Sequence, residues 1–179
     1  MVDKHDILLD EDLDKNLNLD IFDNIVFLLN NAGVEFEILE HEFVHRGEDA
    51  AKIRGTSLQE AAKALILCAK VTNNDDKKYF MCVVSGHKMM DLKIVKELVG
   101  CKNVALAHPD DVLKVTGLPV GSVPPFPALF NIDGYCDSAV MENEYIVFSA
   151  GSHYKSIRMK AEDWKENTGV IISSFSKSK

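Results

Sequence analysis

Apolar residues open the folded part of the chain at helical spacing. In DIFDNIVFLLNNAG, Ile21, Ile25, Leu28 and Leu29 share one stripe, and Asn-Asn-Ala-Gly closes it with Gly33 beyond the last turn, which predicts a helix. The period then changes to two. VEFEILEH alternates through Val34, Phe36 and Ile38 as a half-buried strand does. RGEDAAKIRG predicts a short helix ending at Gly55, and TSLQEAA carries the Ser57 to Glu60 spacing of a capping box. KALILCAKV is apolar over about eight positions, and KKYFMCVVSG repeats the pattern after the polar TNNDD. The pair predicts a hairpin of two buried strands.

DLKIVKELVG spaces Leu92, Ile94, Val95 and Leu98 as an amphipathic helix, capped by Asp91 and stopped by Gly100. NVALAH predicts a short strand, and PDDVLKVTG a short helix with Pro109 in its first turn and Gly117 past its end. The following GLPVGSVPPFPALFNIDGY holds four of the chain's five prolines, so most of it is irregular. PALFNID, EYIVFSAGSH and YKSIRMK are expected as strands, AEDWKENTG as a helix and VIISS as a last strand. Strands and short helices without a strict βαβ repeat predict an α+β fold, a single domain with a mixed, mainly antiparallel β-sheet flanked by short helices. Residues 1–17 lack sustained periodicity and are expected as an acidic, flexible arm, with the domain over residues 18–175.

Charge sharpens that division. The chain of 179 residues has a net charge of −8, and its first twenty residues hold seven acids against Lys4 and Lys15. The body is therefore nearly neutral, which excludes binding of nucleic acid by bulk electrostatics alone and leaves room for a local basic surface. HYKSIRMK, with Lys155, Arg158 and Lys160, is the candidate, and a solvated strand face is the competing reading. Cys68, Cys82, Cys101 and Cys136 form no CxxC pair, and the six histidines show no HExxH spacing, so neither a metal, a redox dithiol nor another cofactor is expected. The amino-terminal stretch has no basic-then-apolar secretory pattern, and no segment has the apolar length of a membrane span. A cytoplasmic, membrane-free protein is expected.

Three stretches bear on chemistry. Lys63 stands at the mouth of the apolar run AKALILCAK, where its stem covers apolar surface with the ammonium in water, or where a rigid strand aims the ammonium at an anion. GLPVGSVPPF is either a rigid surface loop or one in which Gly121, without a side chain, brings backbone groups against a ligand. FSAGSHYKSI places Ser149, Gly151 and His153 after an apolar strand, as a plain turn or as the lining of the same cleft.

In order, HEFVHRGEDAAKIRG, AAKALIL, SGHKMMDLKIVKELVG, GLPVGSVPPF and FSAGSHYKSIRM resemble the YbaK/ProX family of aminoacyl-tRNA editing domains, the type associated with prolyl-tRNA synthetase, over about residues 20–172. The resemblance implies hydrolysis of the ester between a wrongly attached small amino acid and the terminal adenosine of a tRNA, without metal or protein nucleophile, the ribose hydroxyl beside the ester assisting. It implies Lys63 and Gly121 as the catalytic positions, the lysine holding the phosphate-bearing end and the glycine loop polarising the carbonyl or the attacking water. It places Phe43, His45, Ser122, Pro124, Ser149, Gly151 and His153 at the substrate. Two positions depart from the family pattern: Phe43 stands where many bacterial members carry tyrosine, and Ser156 where some carry aspartate. Both bear on which amino acid is cleared.

The partner implied is the acceptor end of an aminoacyl-tRNA, and beyond it a synthetase such as prolyl-tRNA synthetase. A module of the same fold that binds tRNA or a synthetase without catalysis is the competing function. The intact Lys63 and GSVPPF favour the enzyme, and the acidic arm favours docking.

Overall fold

The computed structural model describes residues 19–43, 51–53, 55–70 and 77–178. The arm, most of the helix expected in RGEDAAKIRG and the TNNDD turn lie outside the described residues, although residues 51–53 are helical and Gly55 follows them with φ +66°.

Helix α1 (Leu19–Ala32) buries Ile25 and Leu29 completely, and Gly33 ends it in the left-handed region, with its N–H donating to the Asn30 carbonyl at 3.0 Å. Strand β1 (Phe36–Glu40) follows. The capping-box residues bond reciprocally, Ser57 N–H to Glu60 Oε2 at 3.1 Å and Glu60 N–H to Ser57 Oγ at 3.2 Å. They close a turn that delivers the chain into β2 (Ala62–Lys70). The hairpin with β3 (Lys77–Ser85) forms as predicted, pairing Ala62 with Ser85 through to Lys70 with Lys77.

A short β4 (Lys88–Met90), α2 (Leu92–Val99), β5 (Asn103–Leu106) and α3 (Pro109–Thr116) come next. The Asp91 carboxylate accepts the Lys93 N–H, and Gly100 and Gly117 take positive φ at the helix ends. Then come β6 (Asp133–Asp137), β7 (Tyr145–Ser149), β8 (Lys155–Lys160), α4 (Ala161–Glu166), β9 (Ile171–Ser173) and β10 (Ser176–Ser178).

PALFNID is not the strand it was expected to be. Pro127–Phe130 forms a 3₁₀ turn, and β6 starts only at Asp133. Pro127 offers no backbone donor to a ladder and fits a first helical turn, and Asn131 at φ 53° closes that turn by donating its N–H to the Ala128 carbonyl.

The α+β class and the mainly antiparallel pairing are as expected, but the pairing is divided. Among the described residues the strands form three sheets in the orders β1-β8-β7, β10-β4 and β5-β2-β3-β6-β9, with β3–β6 and β6–β9 parallel. Two cores explain the division. Ala62 and Ile66 of β2 join Ile25, Phe148, Ile157 and Trp164 in one core, while Leu67, Phe80, Val84, Val95 and Phe175 fill a second on the other face of the β2–β3 hairpin. Strands covered on both faces read as continuous apolar runs, the pattern of KALILCAKV.

The chain's end is anchored by Asp137, buried to 2% exposure. Its carboxylate accepts the N–H of Ala139 at 3.1 Å and of Phe175 at 2.7 Å and the hydroxyl of Ser176 at 2.6 Å. These bonds compensate the buried charge and set β10 against β4.

Candidate active site

The three-stranded sheet has one face on the first core, through Ile146, Phe148, Ile157 and Met159. By strand alternation its other face carries Val147 and Ser149 of β7 and Ser156 and Arg158 of β8. The Ala150 N–H donates to the Lys155 carbonyl, so the next pair, Ser149 and Ser156, is a non-hydrogen-bonded one, in which facing side chains lie closest.

His41 continues this face beyond β1. Its N–H donates to the Tyr154 carbonyl at 2.9 Å, and its ring bridges two partners, Nδ1 at 2.9 Å from the Glu42 carbonyl and Nε2 at 2.8 Å from Ser156 Oγ. A carbonyl only accepts, so Nδ1 carries the proton. In the neutral ring Nε2 therefore accepts from the Ser156 hydroxyl.

Two of the sequence motifs are clasped together here. Gly151 N–H donates to the Ser122 carbonyl and His153 Nε2–H to the Val120 carbonyl, each at 3.0 Å. The Phe43 ring lies 5.0 Å from the His153 ring and 5.5 Å from that of Tyr154, centroid to centroid. Gly121 has φ +93°, and a methyl there would stand 3.1 Å from His153 Nε2. Gly151 has φ +80°, and its hydrogen faces Ile21 of α1 where a methyl would meet Cγ2 at 3.0 Å. Only glycine fits both positions without strain.

Within the loop Ser122 is fully buried and its hydroxyl donates to the Pro119 carbonyl at 2.9 Å, while Pro124 is buried and its carbonyl accepts the Phe126 N–H. The Trp164 indole N–H donates to the Pro125 carbonyl at 3.0 Å and ties the loop to α4. Ser122 and Pro124 thus hold the loop's shape. Gly121 and its neighbour Val120 are exposed, and among the described residues no hydrogen bond reaches the Gly121 N–H.

Lys63 meets this face at the seam between the two larger sheets. Ala61 bridges Val147 in parallel, and Val147 N–H donates to the Glu60 carbonyl at 2.8 Å. Two residues further along each strand, on the same side, stand Lys63 and Ser149, both half-buried. Leu65 and Leu67, on the Lys63 side of β2, belong to the second core, and Lys63 stands where that core ends.

The structure thus brings Phe43, Gly121, Gly151 and His153 into contact through their neighbours, with Ser149 adjoining and Lys63 across the seam. His45 lies outside the described residues. His41 was missed by sequence reasoning, because its bond to Ser156 spans 115 residues and no local pattern announces it.

Cys82, Cys101 and Cys136 are buried and Cys68 is half-buried. Burial pushes the Cys82 thiol up to about 12, with Asp137 adding to it, and raises the Cys136 thiol for the same reasons. Both stay protonated and unreactive at neutral pH. Among the described residues no three His, Cys, Asp or Glu side chains gather as a metal-ion site, and no helix is long and apolar enough to cross a membrane. A cleft of about 320 Å³ lined by Cys68, Lys70, Lys77 and Leu106 lies at the far end of β2 from Lys63 and holds none of the candidate residues.

Residues 41–166 match the family model of the aminoacyl-tRNA editing domain. The chain belongs to that family. The editing domain here is 30% identical over 141 residues to the multifunctional Ser/Thr-tRNA deacylase ProXp-y of Escherichia coli K12, covering 78% of this chain and 83% of that protein. A proline–tRNA ligase of Fervidobacterium nodosum is 29% identical over 82 residues, 46% of this chain and 13% of the ligase.

Among solved structures, a putative trans-editing enzyme for prolyl tRNA synthetase superposes with a TM-score of 0.74 at 20% identity, over 88% of this chain and 97% of the other. The hypothetical protein APE2540 gives 0.76 at 24%, over 86% and 99%. Both likenesses establish the fold, and the YbaK/ProX resemblance read from the sequence is borne out.

Proposed function

We propose that this editing domain is a trans-acting deacylase that hydrolyses the ester of serine or threonine, or of a similarly small amino acid, wrongly attached to tRNA. Kinship with ProXp-y supports the reaction and the choice of amino acid. The observation that carries the reading to particular residues is the N–H of the exposed Gly121, bonded to none of the described residues, at a loop locked by His153, Gly151 and Trp164.

An aminoacyl ester is already activated, so fixed donors and positioning suffice to lower its barrier. The Gly121 N–H donates to the carbonyl oxygen as it becomes an oxyanion. Water adds to the carbonyl carbon, its proton passing to the ribose oxygen as the ester C–O bond breaks, and the vicinal ribose hydroxyl orients it. Free amino acid and tRNA with an intact ribose leave. Lys63 holds the anionic end of the substrate from the β2 seam, and Ser149, backed by the buried Ser156 and its bond to His41, bounds the amino-acid side. Two hydroxyls and an imidazole suit a small polar substituent.

The test is release of amino acid from tRNAs charged with serine, threonine, alanine and cysteine, tRNA for proline included. Release of serine or threonine is expected, at the same rate after treatment with EDTA. Loss of activity with the chelator would refute the metal-free mechanism, and tRNA binding without release from any of these substrates would favour the non-catalytic module. The kinship with part of a proline–tRNA ligase supports a prolyl-tRNA synthetase as the working neighbour, and a role in translation supports the cytoplasm as the location.

The acidic arm lies ahead of the matched residues, which begin at 41. Removing residues 1–17 is expected to leave the melting temperature and the deacylation rate within error of the full chain, by thermal denaturation and the same release assay. A large fall in either would give the arm a part in the domain.

A further inference from the structure

The sheet face that carries Ser149 and Ser156 extends by one more pair, Val147 opposite Arg158, and there the structure holds a second arrangement. The Arg158 guanidinium carbon lies 4.2 Å from the centroid of the Tyr145 ring, and its Nη2 donates to Glu60 Oε1 at 3.4 Å. Glu60 is itself fixed, because its other oxygen accepts from Ser57 in the capping box. A planar cation is thus laid on an aromatic ring and held at one edge, with its side chain still 31% exposed.

Two residues of strand separate Arg158 from Ser156, roughly 7 Å. One nucleoside spans such a gap between the ester on its ribose and its base. We infer that Arg158 and Tyr145 form a stacking platform for the base of the 3′-terminal nucleotide, beside the Ser149 side of the face proposed to take the aminoacyl ester. The inference rests on the deacylase reading of this face.

Unpaired bases at RNA ends are held by stacking on aromatic rings and on arginine planes. The charges around Arg158 select a base over a phosphate. Glu60 bonds the guanidinium edge, and Glu37 stands directly opposite Arg158 across the β1–β8 pair. Two carboxylates repel a phosphate at that point, whereas a neutral base stacks on the cation's face while Glu60 keeps its edge.

The experiment compares kcat/KM on two substrates that share one RNA body: seryl-tRNA ending in adenosine, and the same seryl-tRNA with its terminal base removed. The wild-type chain is expected to prefer the first by at least tenfold. Arg158→Lys, which keeps the charge and loses the plane, and Tyr145→Leu, which loses the ring, are each expected to bring that ratio close to one. A substitution that merely loosens the Glu60 turn or the fold slows both substrates together and leaves the ratio where it was. An unmoved ratio in both variants, or a wild-type ratio of one, overturns the platform while the deacylase stands. A wild-type chain that releases serine from neither RNA overturns the deacylase reading, and the platform with it.

Discussion

Gly121→Ala keeps the backbone N–H but displaces it, and is expected to cut deacylation by about a hundredfold, the usual order when one oxyanion donor no longer reaches its place, and to lower the melting temperature by several degrees. Two effects combine. At φ +93° an L-residue is strained, which costs about 1–2 kcal/mol, and that corresponds to roughly 2–8 °C in a chain of this length. The added methyl also stands 3.1 Å from His153 Nε2, so the ring must yield, and with it the bond to the Val120 carbonyl that shapes the loop.

Gly33→Ala separates the two effects. Gly33 also has a positive φ, at +67°, but a methyl there meets nothing within 4 Å, and the position ends α1 away from the loop. It should lose stability and keep its activity per folded molecule. If Gly121→Ala loses no more activity than Gly33→Ala when both are corrected for folded fraction, the loop is scaffold and the donor lies elsewhere.

The features of this site differ in how far they could be read from the chain, and the difference follows from range. The caps at Asp91, Gly100 and Gly117 and the Ser57–Glu60 box are set within four residues, and each is present as the local chemistry requires. The β2–β3 hairpin was legible because both strands are apolar on both faces. Its place between two cores was not, because Val95 and Phe175 arrive from separate parts of the chain.

PALFNID misled because apolar content alone does not separate a strand from a proline-led turn. The short β10 is polar throughout and exists because Asp137, 38 and 39 positions earlier, accepts from Phe175 and Ser176. At the site, Gly121 and Lys63 could be singled out as chemical oddities in their surroundings. The bond between His41 and Ser156, the Ser149–Ser156 pairing and the seam at Ala61–Val147 all depend on register between distant strands.

Lys63 carries the last prediction. Lys63→Ala is expected to fold as the wild type does, because the position contributes backbone pairing to Val84 and stands where the second core ends, while the neighbouring Ala62 faces the first core. Losing a charge-assisted contact of about 1.5–3 kcal/mol corresponds to roughly 10- to 150-fold in kcat/KM. The loss should lie mainly in KM if the ammonium holds the substrate's anionic end equally in ground and transition states, and in kcat if it faces the charge that develops during hydrolysis.

Lys63→Arg discriminates further. A guanidinium keeps the charge but not the compact ammonium geometry, so it should recover part of a long-range electrostatic role and little of a contact at the reacting carbonyl. Deacylation of every mischarged tRNA at the wild-type rate by Lys63→Ala, at an unchanged melting temperature, would sink the assignment. Lys63 would then be a strand-end lysine whose stem covers the apolar edge of β2.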